Sequence, residues 1–118
     1  MILADTSVWV HHFDRSDRRL EEHLMNSEVM MHPFVIGELA CGDLRPRAET
    51  LAVLQAMPRA REASHEETLA LLEAHALHRR GIGWVDLHLL ASARLSGARL
   101  LTDDRALQAA ARELGVAG

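Results

Sequence analysis

Met1-Ile2-Leu3-Ala4-Asp5-Thr6-Ser7 is the stretch that decides the fold. Its apolar run is continuous and does not alternate, which is typical of a short strand buried on both faces of a parallel sheet. Asp5 follows where this strand ends, and Thr6 or Ser7 is expected to cap a helix that begins near Val8. Ligands of open α/β sheets bind beyond the carboxyl ends of the strands. Asp5 is therefore either a site residue or simply a helix-capping acid.

The rest of the chain alternates between helical and strand-like segments. Further strands are predicted over residues 28–32 and 99–102, with a weaker one over 59–63. Helices are predicted over residues 8–14, 17–25, 34–41, 47–57, 64–80, 84–96 and 105–114, and residues 115–117 form an edge strand or a tail. The 118 residues predict one domain, 1–118, of the α/β class. The alternation predicts a mostly parallel central sheet between helices, a three-layer α/β/α arrangement.

Composition excludes several kinds of site. All 13 basic residues are arginine, so a Gly-Lys-Ser/Thr nucleotide loop and a lysine Schiff base are excluded. The net charge of −4 and the aromatic content of 3% argue against a surface devoted to gripping nucleic acid or stacking its bases. Cys41 is the only cysteine, which fits a reducing compartment. No signal sequence or long apolar span is recognisable, so we expect a cytoplasmic protein with no membrane partner.

Two acids lie in helices that are otherwise apolar. Glu38 is the only charged residue of the predicted helix 34–41. We expect it to be buried and to need an arginine or a metal ion as its partner. Asp86 lies in the first turn of the helix 84–96, beside apolar residues. It is either part of a site or an acid that stabilises the helix through its dipole.

Asp103 and Asp104 follow a predicted strand as Asp5 follows the first one. The carboxyl ends of parallel strands meet at the same edge of a sheet, although one of these acids could be only a helix cap. Crowded carboxylates repel each other and are tolerated when a hard divalent cation neutralises them. Ligands that are all oxygen indicate Mg²⁺ or Mn²⁺, and such a cluster suits attack by water on a phosphodiester.

At these residues the sequence resembles the PIN-domain ribonucleases, in particular the toxins of VapBC toxin–antitoxin pairs. The resemblance is carried by residues 3–9, 36–39, 83–91 and 100–104, in this order and spacing. It implies an acidic catalytic and metal-binding site made of Asp5, Glu38, Asp86 and Asp104. Asp104 is preferred because the last acid of the family stands two residues after the threonine. The supporting residues it implies are Ser7, Thr102 and Asp103.

The resemblance also implies a function and partners. It implies a Mg²⁺- or Mn²⁺-dependent endoribonuclease, with RNA as its substrate, an antitoxin protein as its inhibitor, and a homodimer as its assembly. An apolar trough on the first two helices is expected to receive the antitoxin, and its candidate residues are Val8, Trp9, Phe13, Leu20 and Leu24. The alternative is that these five residues close the core, and for Trp9 this alternative is preferred. One position departs from the pattern, because His11 stands where these toxins often carry an acid.

Other interpretations remain open at this stage. The acids could be caps and buried pairs of a non-catalytic α/β interaction module, or the chain could be a PIN-like nuclease outside toxin–antitoxin systems. A zinc site at His75 and His78, or at His11 and His12, lacks an obvious third ligand. A phosphatase with an aspartate after its first strand would need a lysine, which the chain lacks.

Overall fold

A computed structural model describes all 118 residues of the chain. Its strands are β1 (Ile2–Ala4), β2 (Val29–Met30) and β3 (Arg99–Leu101). Its helices are α1 (Thr6–Arg15), α2 (Arg18–Met25), α3 (Pro33–Ala40), α4 (Arg47–Ala56), α5 (His65–Ala74), α6 (Trp84–Ser96) and α7 (Arg105–Glu113). The longest helix has 13 residues, and none has the length and apolar character needed to cross a bilayer.

The three strands form one parallel sheet in the order β2-β1-β3. The central strand β1 is buried along its whole length, as its continuous apolar run predicts. Helices α1 and α3 pack against each other, while α6 packs against α5, α7 and the sheet. The α/β class and the all-parallel sheet confirm the fold that the sequence predicts.

Several local predictions are confirmed. Ser64 and Glu67 form the capping box at the start of α5, with both reciprocal hydrogen bonds present. Helix α6 begins and ends at the predicted residues, and Gly97 follows it with a φ of 63°. That left-handed conformation is the one in which glycine ends a helix.

The predicted helix 64–80 is too long. Helix α5 ends at Ala74, and Ala76 and Arg79 have positive φ values of 49° and 59°. Leaving the helix lets the chain bury Leu77, which is 1% exposed. The uninterrupted helical composition of residues 65–80 gave no sign of this early stop.

On each outer side of the sheet, a single residue forms a β-bridge where a further strand was predicted. Arg59 bridges Met31, beyond β2, and Ala117 bridges Leu100 of β3. The weak strand predicted at 59–63 and the edge strand predicted at 115–117 are therefore each reduced to one bridge.

Candidate active site

The strand order brings the ends of β1 and β3 side by side. Ala4 is in register with Leu101, and the next residue, Asp5, donates its backbone N–H to the carbonyl oxygen of Leu101 at 3.1 Å. The hydroxyl of Thr102 donates a hydrogen bond to Oδ2 of Asp5 at 2.5 Å. Side chains that are 97 residues apart in sequence are therefore in direct contact at this edge of the sheet.

Asp5 is the buried member of the site, with 3% of its surface exposed. Its Oδ1 accepts a hydrogen bond from the backbone N–H of Val8 at 3.0 Å, which makes it the N-cap of α1. The prediction that Thr6 or Ser7 caps this helix is wrong, because Asp5 reaches the free amide first. Burial raises the pKa of Asp5 from its ordinary value, while the hydrogen bonds from Thr102 and Val8 oppose this rise.

Asp86 lies half-buried in the first turn of α6. Burial is the main cause that raises its pKa to about 6, and the negative charges of Asp5, Asp104 and Glu38 raise it further. The charges of these three carboxylates act on Asp86 because all four acids lie near one another, each supplied by a different part of the chain. We call these four residues the acid cluster.

Glu38 is exposed, which corrects the expectation of a buried carboxylate. Helix α3 packs on the core through Val35, Ile36 and Leu39, so its other face turns outward although part of it is apolar. Glu38 has no arginine partner. Its Oε1 accepts a hydrogen bond of 2.5 Å from the hydroxyl of Thr6, a residue that the sequence analysis considered only as a helix cap.

The two consecutive acids after β3 make different contacts. Asp104 is exposed, and its Oδ1 caps α7 by accepting a hydrogen bond from the backbone N–H of Leu107 at 2.9 Å. Asp103 forms a two-pronged ion pair with Arg19, with N···O distances of 2.9 and 3.1 Å. Asp103 therefore has an arginine partner, whereas Asp104 forms no ion pair.

Arg19 also holds a second acid. Its guanidinium donates to both carboxylate oxygens of Asp17, at 3.1 and 2.7 Å. Asp17 is only 3% exposed, and the hydrogen bonds from Arg19 are the main cause that holds its pKa well below the ordinary value. Sequence analysis missed Arg19, since one arginine among 13 carries no local signal of its partner.

The supporting hydroxyls differ in their contacts. Thr102 is buried and joins two members of the acid cluster, because its oxygen also accepts a hydrogen bond from the backbone N–H of Asp104 at 3.0 Å. Ser7 is exposed and lines a cavity next to Glu38. Its supporting role stays a prediction, whereas Thr6 contacts Glu38 directly.

The donor chemistry of the acid cluster fits a hard divalent cation. It offers only carboxylate oxygens, and the charges of the other three acids add to burial in raising the pKa of Asp86. No three histidine, cysteine or acidic side chains are yet arranged to hold a metal ion between them. The fit therefore rests on donor type and charge, not on a preformed ligand geometry.

The histidine pairs considered for zinc make other contacts. His11 contacts Oδ2 of Asp17 at 3.1 Å through Nδ1, and His12 accepts a hydrogen bond from the backbone N–H of Asp17 at 3.1 Å. His75 contacts Arg94 at 3.0 Å. None of these pairs belongs to a three-ligand cluster, so the zinc interpretation is not supported.

A cavity of about 820 Å³ lies beside the acid cluster, between α1, α3 and the segment that leads into α4. Its walls include Thr6 and Glu38 at the end next to the cluster, and Val10 and Phe13 along α1. The predicted apolar trough is wrong in most of its members. Only Phe13 of the five is exposed, while the others are buried in or packed against the core: Val8, Trp9, Leu20 and Leu24.

Comparison with known proteins agrees with this fold and identifies the family. The chain matches the PIN domain family over residues 2–113. Ribonuclease VapC32 of Mycobacterium tuberculosis, in strains CDC 1551 / Oshkosh and ATCC 25618 / H37Rv, is 45% identical over 118 residues, which cover 99% of this chain and 95% of that protein. The chain therefore belongs to the PIN-domain family, and within it to the VapC-type ribonucleases.

A solved structure shares the fold at low sequence identity. The crystal structure of PAE2754 from Pyrobaculum aerophilum has a TM-score of 0.59 and 17% identity, covering 97% of this chain and 88% of that chain. At this level of identity the likeness concerns the fold alone.

Proposed function

We propose that this chain is an endoribonuclease toxin that hydrolyses RNA with Mg²⁺ or Mn²⁺ held at the acid cluster, Asp5, Glu38, Asp86 and Asp104. The observation that carries the proposal is the contact between Thr102 and Asp5, which brings the acids that follow β1 and β3 to one edge of the sheet. The negative charges of Asp5, Asp104 and Glu38 add to burial in raising the pKa of Asp86. Repulsion of this kind weakens a fold unless a cation offsets it. Perturbed carboxylates gathered at one edge of a sheet favour a functional site over a structural role.

The protein's own groups hold the cluster in place. The amide of Val8 and the hydroxyl of Thr102 fix both oxygens of Asp5, and Thr102 ties the start of α7 to the same point. A metal ion held by Asp5, Glu38, Asp86 and Asp104 would supply a water of lowered pKa and would offset charge that develops on the phosphate. Arg19 pairs with Asp103, although the negative charge of Asp103 still contributes to the raised pKa of Asp5.

The experiment is RNA cleavage by the Asp5→Asn variant. Asparagine is as good an N-cap as aspartate, so the fold should persist while activity is lost. Glu49→Gln is the matched control, since Glu49 is an exposed acid in the first turn of α4. Full activity of Asp5→Asn, or of the unaltered protein in excess EDTA, would contradict the proposal.

The partner that we propose is an antitoxin that occupies the cavity beside the cluster. Val10 and Phe13 are 54% and 45% exposed on its wall, and an apolar helix face is a typical occupant of such a groove. The cavity continues to Glu38, so a basic side chain of the partner could reach the acid cluster and compete with the metal. We propose the cytoplasm as the location of this pair, and a homodimer as the assembly of the toxin.

The alternative of a non-catalytic module has one observation in its favour. Asp5 and Asp104 are both helix N-caps, which is a sufficient structural reason for an acid at either position. This reason does not apply to Glu38, which is exposed in the body of α3. Cleavage by the Glu38→Gln variant at the unaltered rate would favour the module.

A further inference from the structure

Four rings from three helices form a continuous series outside the acid cluster. The ring of Phe34 lies 5.0 Å from that of His88, which lies 4.8 Å from Trp84, and Trp84 lies 5.0 Å from His65. Phe34 and Trp84 meet His88 at interplanar angles of 69° and 88°. Such edge-to-face contacts are favourable between aromatic rings. We call this series the ring shelf.

The central ring of the shelf is fixed by the core. His88 is 6% exposed, and its Nδ1 lies 3.2 Å from the hydroxyl of Thr68. The same hydroxyl donates to the carbonyl oxygen of Ser64 at 2.9 Å, so Thr68 links the imidazole to the start of α5. A ring held in this way gives Phe34 and Trp84 a rigid support.

The outer rings of the shelf are open to solvent. Phe34 is 41% and Trp84 is 38% exposed, and His65 is also exposed. The chain has only two tryptophans and two phenylalanines, and the other tryptophan, Trp9, is 3% exposed. Exposed aromatic surface that gathers in one place is typical of a binding site.

The shelf adjoins the acid cluster through α3. Phe34 precedes Glu38 by four residues in α3, so both lie on the same exposed face, separated by a rise of roughly 6 Å. Trp84 and Asp86 both lie in the first turn of α6, but residues two apart point to different sides of a helix. The contact between Phe34 and His88 joins these two helices. A strand whose phosphate lies at the acid cluster would therefore have its neighbouring base near these rings.

We propose that the ring shelf binds a nucleobase of the RNA next to the phosphate that is cleaved. The proposal rests on the proposed function. Phenylalanine, tryptophan and histidine are the side chains on which splayed RNA bases stack. A base is uncharged, so stacking adds affinity where the acid cluster repels the backbone. The low aromatic content excludes a series of platforms along the strand, but one base needs only this shelf.

The test measures binding separately from cleavage. Asp5→Asn protein, in buffer with Mg²⁺, is titrated into a fluorescein-labelled random 12-nucleotide RNA, and the Kd is read from anisotropy. Adding Trp84→Leu or Phe34→Leu should weaken binding roughly 5- to 150-fold, the range for one lost stacking contact. Leucine keeps apolar surface but has no ring. Adding Trp84→Phe keeps a ring, so its loss should be smaller.

The matched control is Leu95→Ala, because Leu95 is 38% exposed on the same helix, α6, as Trp84. Thermal melts check that each variant is folded. The fluorescence of Trp84 supplies a second readout, since RNA should quench it and a 12-unit abasic ribose-phosphate strand should not. Unequal binding of these two strands supports a contact with bases.

The proposal is overturned if both leucine variants bind RNA within twofold of their parent, if RNA and the abasic strand bind equally, or if the parent binds neither. Cleavage of RNA by the unaltered protein is scored separately. Cleavage together with unchanged binding by the leucine variants would overturn the ring shelf and leave the nuclease standing. Base-dependent binding without cleavage would support the ring shelf and overturn the proposed nuclease activity.

Discussion

Thr102 donates a hydrogen bond of 2.5 Å to Asp5, although 97 residues separate them in the chain. The same hydroxyl also accepts a hydrogen bond from the backbone N–H of Asp104. Thr102 therefore links the residues that follow β1 and β3 at the carboxyl edge of the sheet. One buried hydroxyl therefore orients the acid after β1 and the start of α7 together. Its position explains why a threonine, with its second substituent packed in the core, is suited to the end of β3.

Replacing this hydroxyl should cost stability and activity. Thr102→Val removes the donor to Asp5 and leaves a buried carboxylate oxygen without its partner, which typically costs about 1–3 kcal/mol. Urea denaturation measures the free energy of unfolding, and an RNA cleavage assay measures the rate. Thr102→Ser keeps the hydroxyl and should lose much less of both. Equal losses in the two variants would mean that packing, not the hydrogen bond, is what matters.

Arg19 should stabilise the fold more through its ion pair with Asp17 than through its ion pair with Asp103. Asp17 is buried, so Arg19→Met leaves a buried carboxylate with less compensation and should destabilise the fold by about 1–3 kcal/mol. The pair with Asp103 is exposed on both sides, and Asp103→Asn should cost less than about 1 kcal/mol. Chemical denaturation of the two variants compares these costs. A larger loss for Asp103→Asn would reverse the assignment.

Acid should destabilise the fold through His32. Burial is the main cause that lowers the pKa of His32, which is 1% exposed and whose Nε2 has no hydrogen-bond partner. Below about pH 6.5 His32 is protonated in the unfolded chain but stays neutral in the folded protein. The free energy of unfolding is therefore highest above this pH and falls as the pH decreases.

The comparison that isolates this effect is His32→Asn, because asparagine can still cap α3 as Nδ1 of His32 does. Thermal or urea melts between pH 7.5 and 5.5 should show a shallower decline for the variant. Asp86 acts in the opposite direction, since its raised pKa favours the folded protein as the pH falls towards 4, but it is present in both proteins and cancels. Equal slopes would contradict the prediction.

Divalent cations should stabilise the protein. Mg²⁺ or Mn²⁺ that binds only the folded state adds about 2.7 kcal/mol at 100 times its Kd, and the melting temperature should rise with concentration. Asp86→Asn removes one repelling charge, so it should melt higher than the unaltered protein without metal at pH 8 and gain less from the cation. A melting temperature that changes with neither Mg²⁺ nor Mn²⁺ would contradict a metal site at the acid cluster.

The cavity on α1 should be required for inhibition and not for cleavage. Phe13→Asp places a charge on the apolar wall, where a partner would have to desolvate it, so binding of a co-expressed antitoxin should fall by at least tenfold. The measurement is co-purification followed by RNA cleavage. Met25→Asp, at a residue that is 78% exposed on α2, is the control. A partner that binds both variants equally would place its contact elsewhere.

The sequence predicts β1, β3, the capping box of α5 and the ends of α6 because their causes are local. The continuous apolar run of residues 1–4 requires burial on both faces, and Gly97 supplies the φ that ends α6. Placing Asp5 and Asp103 at one edge follows from parallel pairing alone. These inferences need no knowledge of which residues touch.

The remaining features depend on packing between distant segments. Glu38 was expected in the core because its helix is apolar, yet Phe34 and Gly37 share its exposed face. Thr6 contacts Glu38, and Arg19 contacts Asp103, because of the way the helices pack against the sheet. The sequence around Thr6 and Arg19 does not indicate these contacts. The ring shelf likewise exists only when α3, α5 and α6 are brought together.

The single bridges on either side of the sheet also limit how it can associate. Met31 uses its backbone groups on Pro58 and Ala60, and Leu100 uses its own on Val116 and Gly118. With these outward-facing groups already paired, another chain cannot extend the sheet at either point by strand addition. Removing residues 116–118 would leave the backbone N–H and C=O of Leu100 unpaired. The edge of β3 could then pair with a strand of another copy of the chain.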